Sequence, residues 1–531
     1  MAINEGTFVD PARLSVAWLN AEPPVDAKRA FEARGFSVEK CTDESLQKPE
    51  YLAGLAAVVL TQNEAKLRAI EDDIQTHAAQ VLNYGCQIVA VPAPNRLKGL
   101  RHSIGKTALA SVASSKVLPL PYIQICDESF PWEIIANSIH KHPQGRAPNR
   151  QLKIDIEPEN GKKPATLSPT REILLQRAFG DCEKVHLKRL SGGLSGAAVF
   201  IAYPTLKTAY IHGRQPLPYF VKIDDRGKVL KEYKNYRERV DPHIPFHLGP
   251  HLIDDRCFLG ASEGMIVGDY VEESESLVDC AKAGRAGPAI ACLFNRTLHG
   301  WHRDAREKDG VPTKYPTFPD DIPAGRRIRA KALGSKTILK DLRDAFEGGE
   351  SEQIMVGPIH GDLNANNVRV RGIDAIVIDF FAQRDDGDVV YDAANLEASL
   401  LVDGFANNRL GHRASLNDIK ACLKLVGPIY ENFLSNLVPP HPSPENPACW
   451  FYECVRQIRR YARQMECQSG QYAIALSRAL LKKSCKDAPL DAPFCEHEEY
   501  RRAAAYVIAE RIIKNTSTTK ASKAKPMSVT A

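Results

Sequence analysis

Apolar and polar positions come in alternating blocks over the first part of the chain. LSVAWL, FSVEKC, AAVVL, QIVAVP and YIQIC are short apolar runs between residues 13 and about 142, and segments of helical composition such as DAKRAFEARG, AKLRAIEDDIQTHAAQVLNYG and PWEIIANSIHKH stand between them. Five strand-like runs interleaved with helices predict an α/β doubly wound parallel sheet over residues 1–142.

The pattern then breaks. Residues 143–167, HPQGRAPNRQLKIDIEPENGKKPAT, are rich in Pro, Gly and charge and read as a linker. SPTREILLQRAFG restarts order as a helix, with Ser168 at its N-cap, Pro169 at its first position and Glu172 in its first turn. KVHLKRL, AVFIAYP and YFVKID follow as strands, KVLKEYKNYRERV as a helix, and GMIVGDYVEES as a strand that ends in polar residues. Residues 274–355 and 415–514 read as mostly helical, whereas VRVRGIDAIVID reads as two short strands joined at Gly372 and Ile373.

Composition narrows the class. With 531 residues, 44% hydrophobic and 25% charged, the chain is long enough for two or three soluble domains, each with its own core. A net charge of +5, with a pI near 8.4 and no recognisable DNA-reading helix pair or basic face, argues against a specific nucleic-acid partner. The 13 cysteines form an odd set without a CxxC pair, which implies a reducing compartment. Cys485, Cys495 and His497 match no common zinc spacing. MAINEGTFVDPAR lacks a signal pattern, and the apolar run at 52–60 is too short to span a bilayer, so a cytoplasmic protein without a membrane partner is expected.

The chemistry concentrates in IHGDLNANNVRVRGIDAIVIDFF, residues 359–381. An Asn follows Asp362 by five residues and a second Asp by seventeen, and the hairpin between them would return Asn367 and Asp379 to one sheet edge. Phosphoryl transfer needs a positioned hydroxyl and neutralised charge more than covalent help. Asp362 supplies a carboxylate that can take a hydroxyl proton, and Asn367 and Asp379 supply the oxygen donors that Mg²⁺ prefers. His360, Asp362 and Asn367 are also turn formers, but a plain loop has no reason to keep this order. Upstream, SGGLSGA would let backbone N–H groups at Gly192, Gly193, Ser195 and Gly196 approach phosphates, and Lys222 lies among apolar residues where an ammonium needs an anion. Gly105-Lys106-Thr107 is not a phosphate loop, because the first glycine of that motif falls on Leu100.

HGDLNANN followed by VIDFF resembles the aminoglycoside phosphotransferase and choline kinase group, which has the protein-kinase-like fold, and Tyr391-Asp392-Ala393 resembles its continuation. Gly361, Asn364 and Phe381 depart from the protein-kinase pattern, so the acceptor need not be a protein. The resemblance implies a bilobal α+β domain with a small lobe over 168–268 and a larger, mostly helical lobe over 269–514, followed by a disordered tail at 515–531. It also implies ATP and Mg²⁺ as cofactors, His360 beside the catalytic Asp362, and Glu232, ten residues past Lys222, as that lysine's partner rather than Glu238. The adenine hinge would lie at 269–271, with Asp269 and Val271 as contacts, and Asp392 would be structural.

LKRLSGGLSGAAVF additionally resembles a ternary-complex-associated phosphotransferase-like domain of bacterial signalling and conflict systems, which implies action in a multi-protein assembly. Residues 1–142 resemble a receiver domain in pattern, with Asn20-Ala21-Glu22 and Thr61-Gln62 where phosphoacceptance needs acids. A docking role for a protein partner is therefore expected there. Together these readings give an enzyme that phosphorylates a hydroxyl of a small molecule or protein; the alternative is a pseudokinase-type module that senses nucleotide and docks partners.

Overall fold

The computed structural model describes residues 13–61, 70–92, 98, 100, 123–126, 129–141, 145–158, 166–190, 196–208, 216–309, 319, 321–347, 353–406, 415–431, 433, 438–440, 443, 445–468, 470–486 and 495–523. The chain divides into two compact units, Met1–Lys234 with His251–Tyr270, and Asn235–Pro250 with Val271–Ala531.

In the first unit, β1 (Ser15–Leu19), β2 (Ser37–Cys41), β3 (Leu55–Thr61), β4 (Gln87–Val91) and β5 (Ile123–Ile125) form a parallel sheet in the order β2-β1-β3-β4-β5. Alternate residues point to opposite faces, so Val16, Trp18, Val59 and Val89 pack with Phe31 of helix Val25–Glu32 and Ile135 of helix Trp132–Lys141. Ala17, Leu19, Val58 and Leu60 instead share a core with Ile74 and Val81 of helix Ile70–Asn83. Helices on both faces explain why β1, β3 and β4 read as nearly unbroken apolar runs, whereas edge strand β2 exposes Glu39 and Lys40.

A second sheet in this unit contains β6 (Lys153–Ile156), β7 (Cys182–Arg189), β8 (Ala198–Leu206), β9 (Tyr219–Asp225), β10 (Phe258–Leu259) and β11 (Glu263–Asp269), in the order β10-β11-β9-β8-β7-β6. Strand β6 corrects the linker expectation for 143–167. KIDI alternates charged and apolar residues, and Ile154 and Ile156 pack on the sheet's core from an edge position, but the strand is short and flanked by Pro, Gly and charge that mask its signal. The Ser168 hydroxyl caps helix Pro169–Ala178, and Leu174, Leu175 and Ala178 pack into the same core. Arg177 Nη1 of that helix donates to the Asn83 carbonyl at 3.0 Å, while Asn83 Oδ1 accepts from the Ala261 N–H at 2.8 Å. These bonds join helix Ile70–Asn83 to the second sheet and its covering helix, and both sheets fall in one compact unit.

In the second unit, β12 (Glu275–Ser276), β13 (Arg306–Asp309), β14 (Gln353–Ile359), β15 (Val368–Arg371), β16 (Asp374–Val377) and β17 (Arg384–Asp388) make two three-stranded sheets, β12-β15-β16 and β13-β14-β17. Helices Val390–Ser399, Cys449–Met465, Gln471–Cys485 and Glu496–Lys523 belong to the same unit. Every residue of Val390–Ser399 is buried, and its Glu397 makes a doubly hydrogen-bonded ion pair with Arg459 at 2.6 and 2.9 Å. The last helix continues to Lys523, past the expected start of the tail at 515. Among the described residues no helix is long and apolar enough to cross a membrane.

Candidate active site

In the second unit the hairpin pairs Val368 with Val377 through to Arg371 with Asp374, and Gly372, at φ +62°, makes the turn with Ile373. Asn367 and Asp379 therefore flank the open end of one hairpin, where the Ile378 N–H donates to the Asn367 carbonyl at 2.9 Å. Asn367 Nδ2 donates to the Asp362 carbonyl at 3.0 Å, which commits the amide nitrogen and leaves Oδ1 as the acceptor end. Asp379 has φ 69° and ψ 73°, a left-handed backbone that non-glycine residues seldom adopt and that clusters at functional sites.

His360 ties the two segments together. Its fully buried ring donates from Nε2 to the Ile378 carbonyl at 3.0 Å, while Nδ1 accepts from the Asp362 N–H at 3.3 Å; a carbonyl cannot donate and an amide N–H cannot accept, so the tautomer is fixed. Asp392 accepts from the backbone N–H groups of His360 and Gly361 at 2.7 and 2.9 Å. Burial pushes the Asp392 carboxyl above its usual range, with His360 and those amides only partly offsetting it, which suits a structural clamp. Gly361 sits at φ +76°, and a Cβ there would fall 2.5 Å from the Ala382 carbonyl oxygen, so the HGD turn requires its glycine. Phe380 packs against His360 with tilted rings and 5.3 Å between centroids, and its carbonyl accepts from Asn235 Nδ2 at 2.8 Å.

Asp362 is half-buried and lies 3.1 Å from Lys482 Nζ. Burial raises its carboxyl, but Lys482 and Lys483 outweigh burial and hold it below the ordinary aspartate value. Sequence reasoning missed Lys482. It ends helix Gln471–Cys485, where a lysine reads as an ordinary charge complementing the helix dipole, and only the fold brings it to Asp362.

In the first unit Lys222 on β9 meets Glu232 on helix Arg226–Asn235 at 2.7 Å, with side-chain exposures of 12% and 10%. Glu238 is exposed on the following turn. Gly196, at φ +74°, begins the approach to β8, and Gly192, Gly193 and Ser195 lie outside the described residues. At the expected hinge the Asp269 N–H donates to the His251 carbonyl at 2.9 Å, and the Val271 carbonyl accepts from the Ser274 hydroxyl at 2.5 Å. Burial raises the Asp269 carboxyl, with His251 opposing.

Among the described residues no group of three or more His, Cys, Asp or Glu side chains forms a metal cage. Asn367 and Asp379, at the open end of the hairpin, carry oxygen donors of the kind Mg²⁺ prefers, an ion that commonly takes one or two protein ligands and completes its shell with phosphate oxygens and water.

Comparison with known proteins matches the family model described as ternary complex associated domain 9 over residues 336–483, a span that includes both Asp362 and Lys482. Comparison with curated proteins finds no match. Similar solved structures include an aminoglycoside phosphotransferase from Streptomyces rimosus, at 18% identity and TM-score 0.28 over 55% of this chain and 99% of that one. A choline/ethanolamine kinase family protein from Mesorhizobium loti has 13% identity and TM-score 0.33 over 62% and 92%, and an amicoumacin kinase has 12% identity and TM-score 0.31 over 63% and 88%. The chain is thus similar to aminoglycoside phosphotransferases and choline kinases of protein-kinase-like fold, and in residues 336–483 to the ternary-complex-associated family.

Proposed function

We propose that the chain is a phosphotransferase that moves the γ-phosphoryl group of ATP, with Mg²⁺, to a hydroxyl of a small-molecule acceptor. The observation that carries this reading is the constellation around His360, whose ring hydrogen bonds hold Asp362 and the Asp379 segment in fixed register, with Asn367 anchored to Asp362. In the step itself the acceptor oxygen bonds to the γ-phosphorus, the bond from that phosphorus to the β–γ bridging oxygen breaks, ADP departs, and the hydroxyl proton passes to Asp362. Lys482 keeps Asp362 ionised and so able to take that proton.

Asn367 and Asp379 would hold the metal, which supplies neutralisation of phosphate charge. Lys222 would contact the α and β phosphates, held in place by Glu232; Gly192, Gly193, Ser195 and Gly196 would offer backbone N–H groups, and the backbone at Asp269 and Val271 would meet adenine. In this reading the six-stranded sheet belongs to the nucleotide lobe of a bilobal kinase-like domain, and the second unit supplies the acceptor lobe. The strand order 2-1-3-4-5 of the N-terminal sheet supports a receiver-like docking domain, and Asn20 and Thr61 at its strand ends disfavour phosphoacceptance. The name of the matching family supports action within a multi-protein assembly, and a cytoplasmic signalling or defence setting is part of this proposal.

Thermal unfolding with ATP and Mg²⁺, run beside an assay for ADP release over an acceptor panel, tests the reading. A raised midpoint accompanied by ADP release is expected. A raised midpoint without turnover would point to a nucleotide-sensing module, and no response in either assay would exclude both.

A further inference from the structure

We propose that the acceptor bound beside Asp362 carries an anionic group, a phosphate or carboxylate, that is held by Lys482 and Lys486. The proposal rests on the phosphotransferase reading for the role of the hydroxyl, but its electrostatic content stands on the second unit alone. Helix Gln471–Cys485 buries Tyr472, Ala475, Leu476, Ala479 and Leu480, then ends in a run of lysines. Lys483 is committed to Asp403 at 2.6 Å. Lys482 and Lys486 are four residues apart, both are exposed, and Lys482 reaches Asp362 at 3.1 Å. Lys486 has no ion-pair partner among the described residues. Burial pulls its ammonium below the ordinary lysine value; Asp362 opposes that effect, and Lys483 and Arg502 reinforce it.

The neighbouring carboxylates are already engaged. Asp403 also pairs with Arg501, Glu498 pairs with Arg501 and Arg502, and Asp392 holds the amides of His360 and Gly361. Arg384 adds positive charge that acts on Lys482 and Tyr391. An amino sugar or quaternary ammonium would meet like charge here, and it would compete with these pairs for Asp403, Glu498 or Asp392, or with the transfer step for Asp362. An acceptor with a phosphate or carboxylate meets lysines from the last turn and the C-cap of one helix, an attraction of opposite sign to the acidic clefts that cationic acceptors require.

The test is isothermal titration of the full chain, without nucleotide, against three probes that share one ring: glucose 6-phosphate, glucose and glucosamine. Glucose 6-phosphate is expected to bind at least about tenfold more tightly than glucose, with glucosamine the weakest. That preference should shrink in added salt and largely disappear in Lys482→Met/Lys486→Met. Lys486→Met alone, at an exposed position, should lose part of it, which keeps the test meaningful if the double variant folds poorly. Tightest binding of glucosamine, or an unchanged preference in folded variants, would overturn the proposal. Because no ATP turnover is read, that failure would leave phosphoryl transfer standing, and loss of ATP turnover would leave the anion preference standing.

Discussion

Lys222 and Glu232 are ten residues apart in sequence and nearly shut off from solvent, whereas Lys482 and Asp362 are 120 apart and retain 47% and 39% of their side-chain exposure. Their nitrogen–oxygen distances are similar, 2.7 and 3.1 Å. The first pair has lost most of its hydration, so removing the Glu232 charge takes away a close counter-charge that water cannot replace. The second pair is screened by water and contributes little to stability, but it sets the charge on a carboxylate assigned to chemistry. The first pair is thus expected to weigh more on the stability of its unit, and the second mainly on the charge of Asp362.

The largest effect that sharpens this contrast is expected from Glu232→Gln, which should cost about 3 kcal/mol of unfolding free energy in denaturant titration. A loss no greater than a surface pair gives, under about 1 kcal/mol, would erase the distinction.

An intermediate case is Asp181, which accepts from Arg256 Nη2 at 2.7 Å. Burial raises its carboxyl, but Arg256 and Arg146 prevail and bring the pKa from 3.8 to about 2. Since the folded value lies below the unfolded one, the pair's contribution is complete above about pH 4 and is lost as pH falls toward 2, a loss of about 2 kcal/mol. Asp181→Asn should flatten that part of the acid unfolding curve, and an unchanged curve would remove Asp181 from the account.

The smallest effect on stability is expected from Lys482→Met, within about 1 kcal/mol. Its signature should appear in the pH profile instead. With the lysine gone, the Asp362 carboxyl rises toward its ordinary value and is protonated at higher pH, so the acid limb of turnover moves upward. An acid limb that stays in place, with protein still folded, would separate Lys482 from the base.

The contrast also marks what the residues alone revealed. The hairpin from Asn367 to Asp379 was legible because turn chemistry acts directly over so short a span, and the pairing of Lys222 with Glu232 because their separation resembles that of the small-molecule kinases. The N-terminal sheet was legible too, since both faces are covered and its inner strands β1, β3 and β4 are almost wholly apolar. Strand β6 was hidden because half its residues are charged. Lys482 was hidden because the approach of helix Gln471–Cys485 to Asp362 depends on tertiary packing that no local pattern encodes. The left-handed backbone of Asp379 was equally silent, since nothing in VIDFF distinguishes a strained Asp from a relaxed one.

The most direct measurement is Mg²⁺-dependent ATP turnover by the intact chain compared with Asp379→Asn and Asp362→Asn, each checked for folding by circular dichroism. Turnover by the natural sequence and a loss of about a hundredfold or more in each variant are predicted. Equal turnover in all three proteins would contradict the assignment of these residues to phosphoryl transfer.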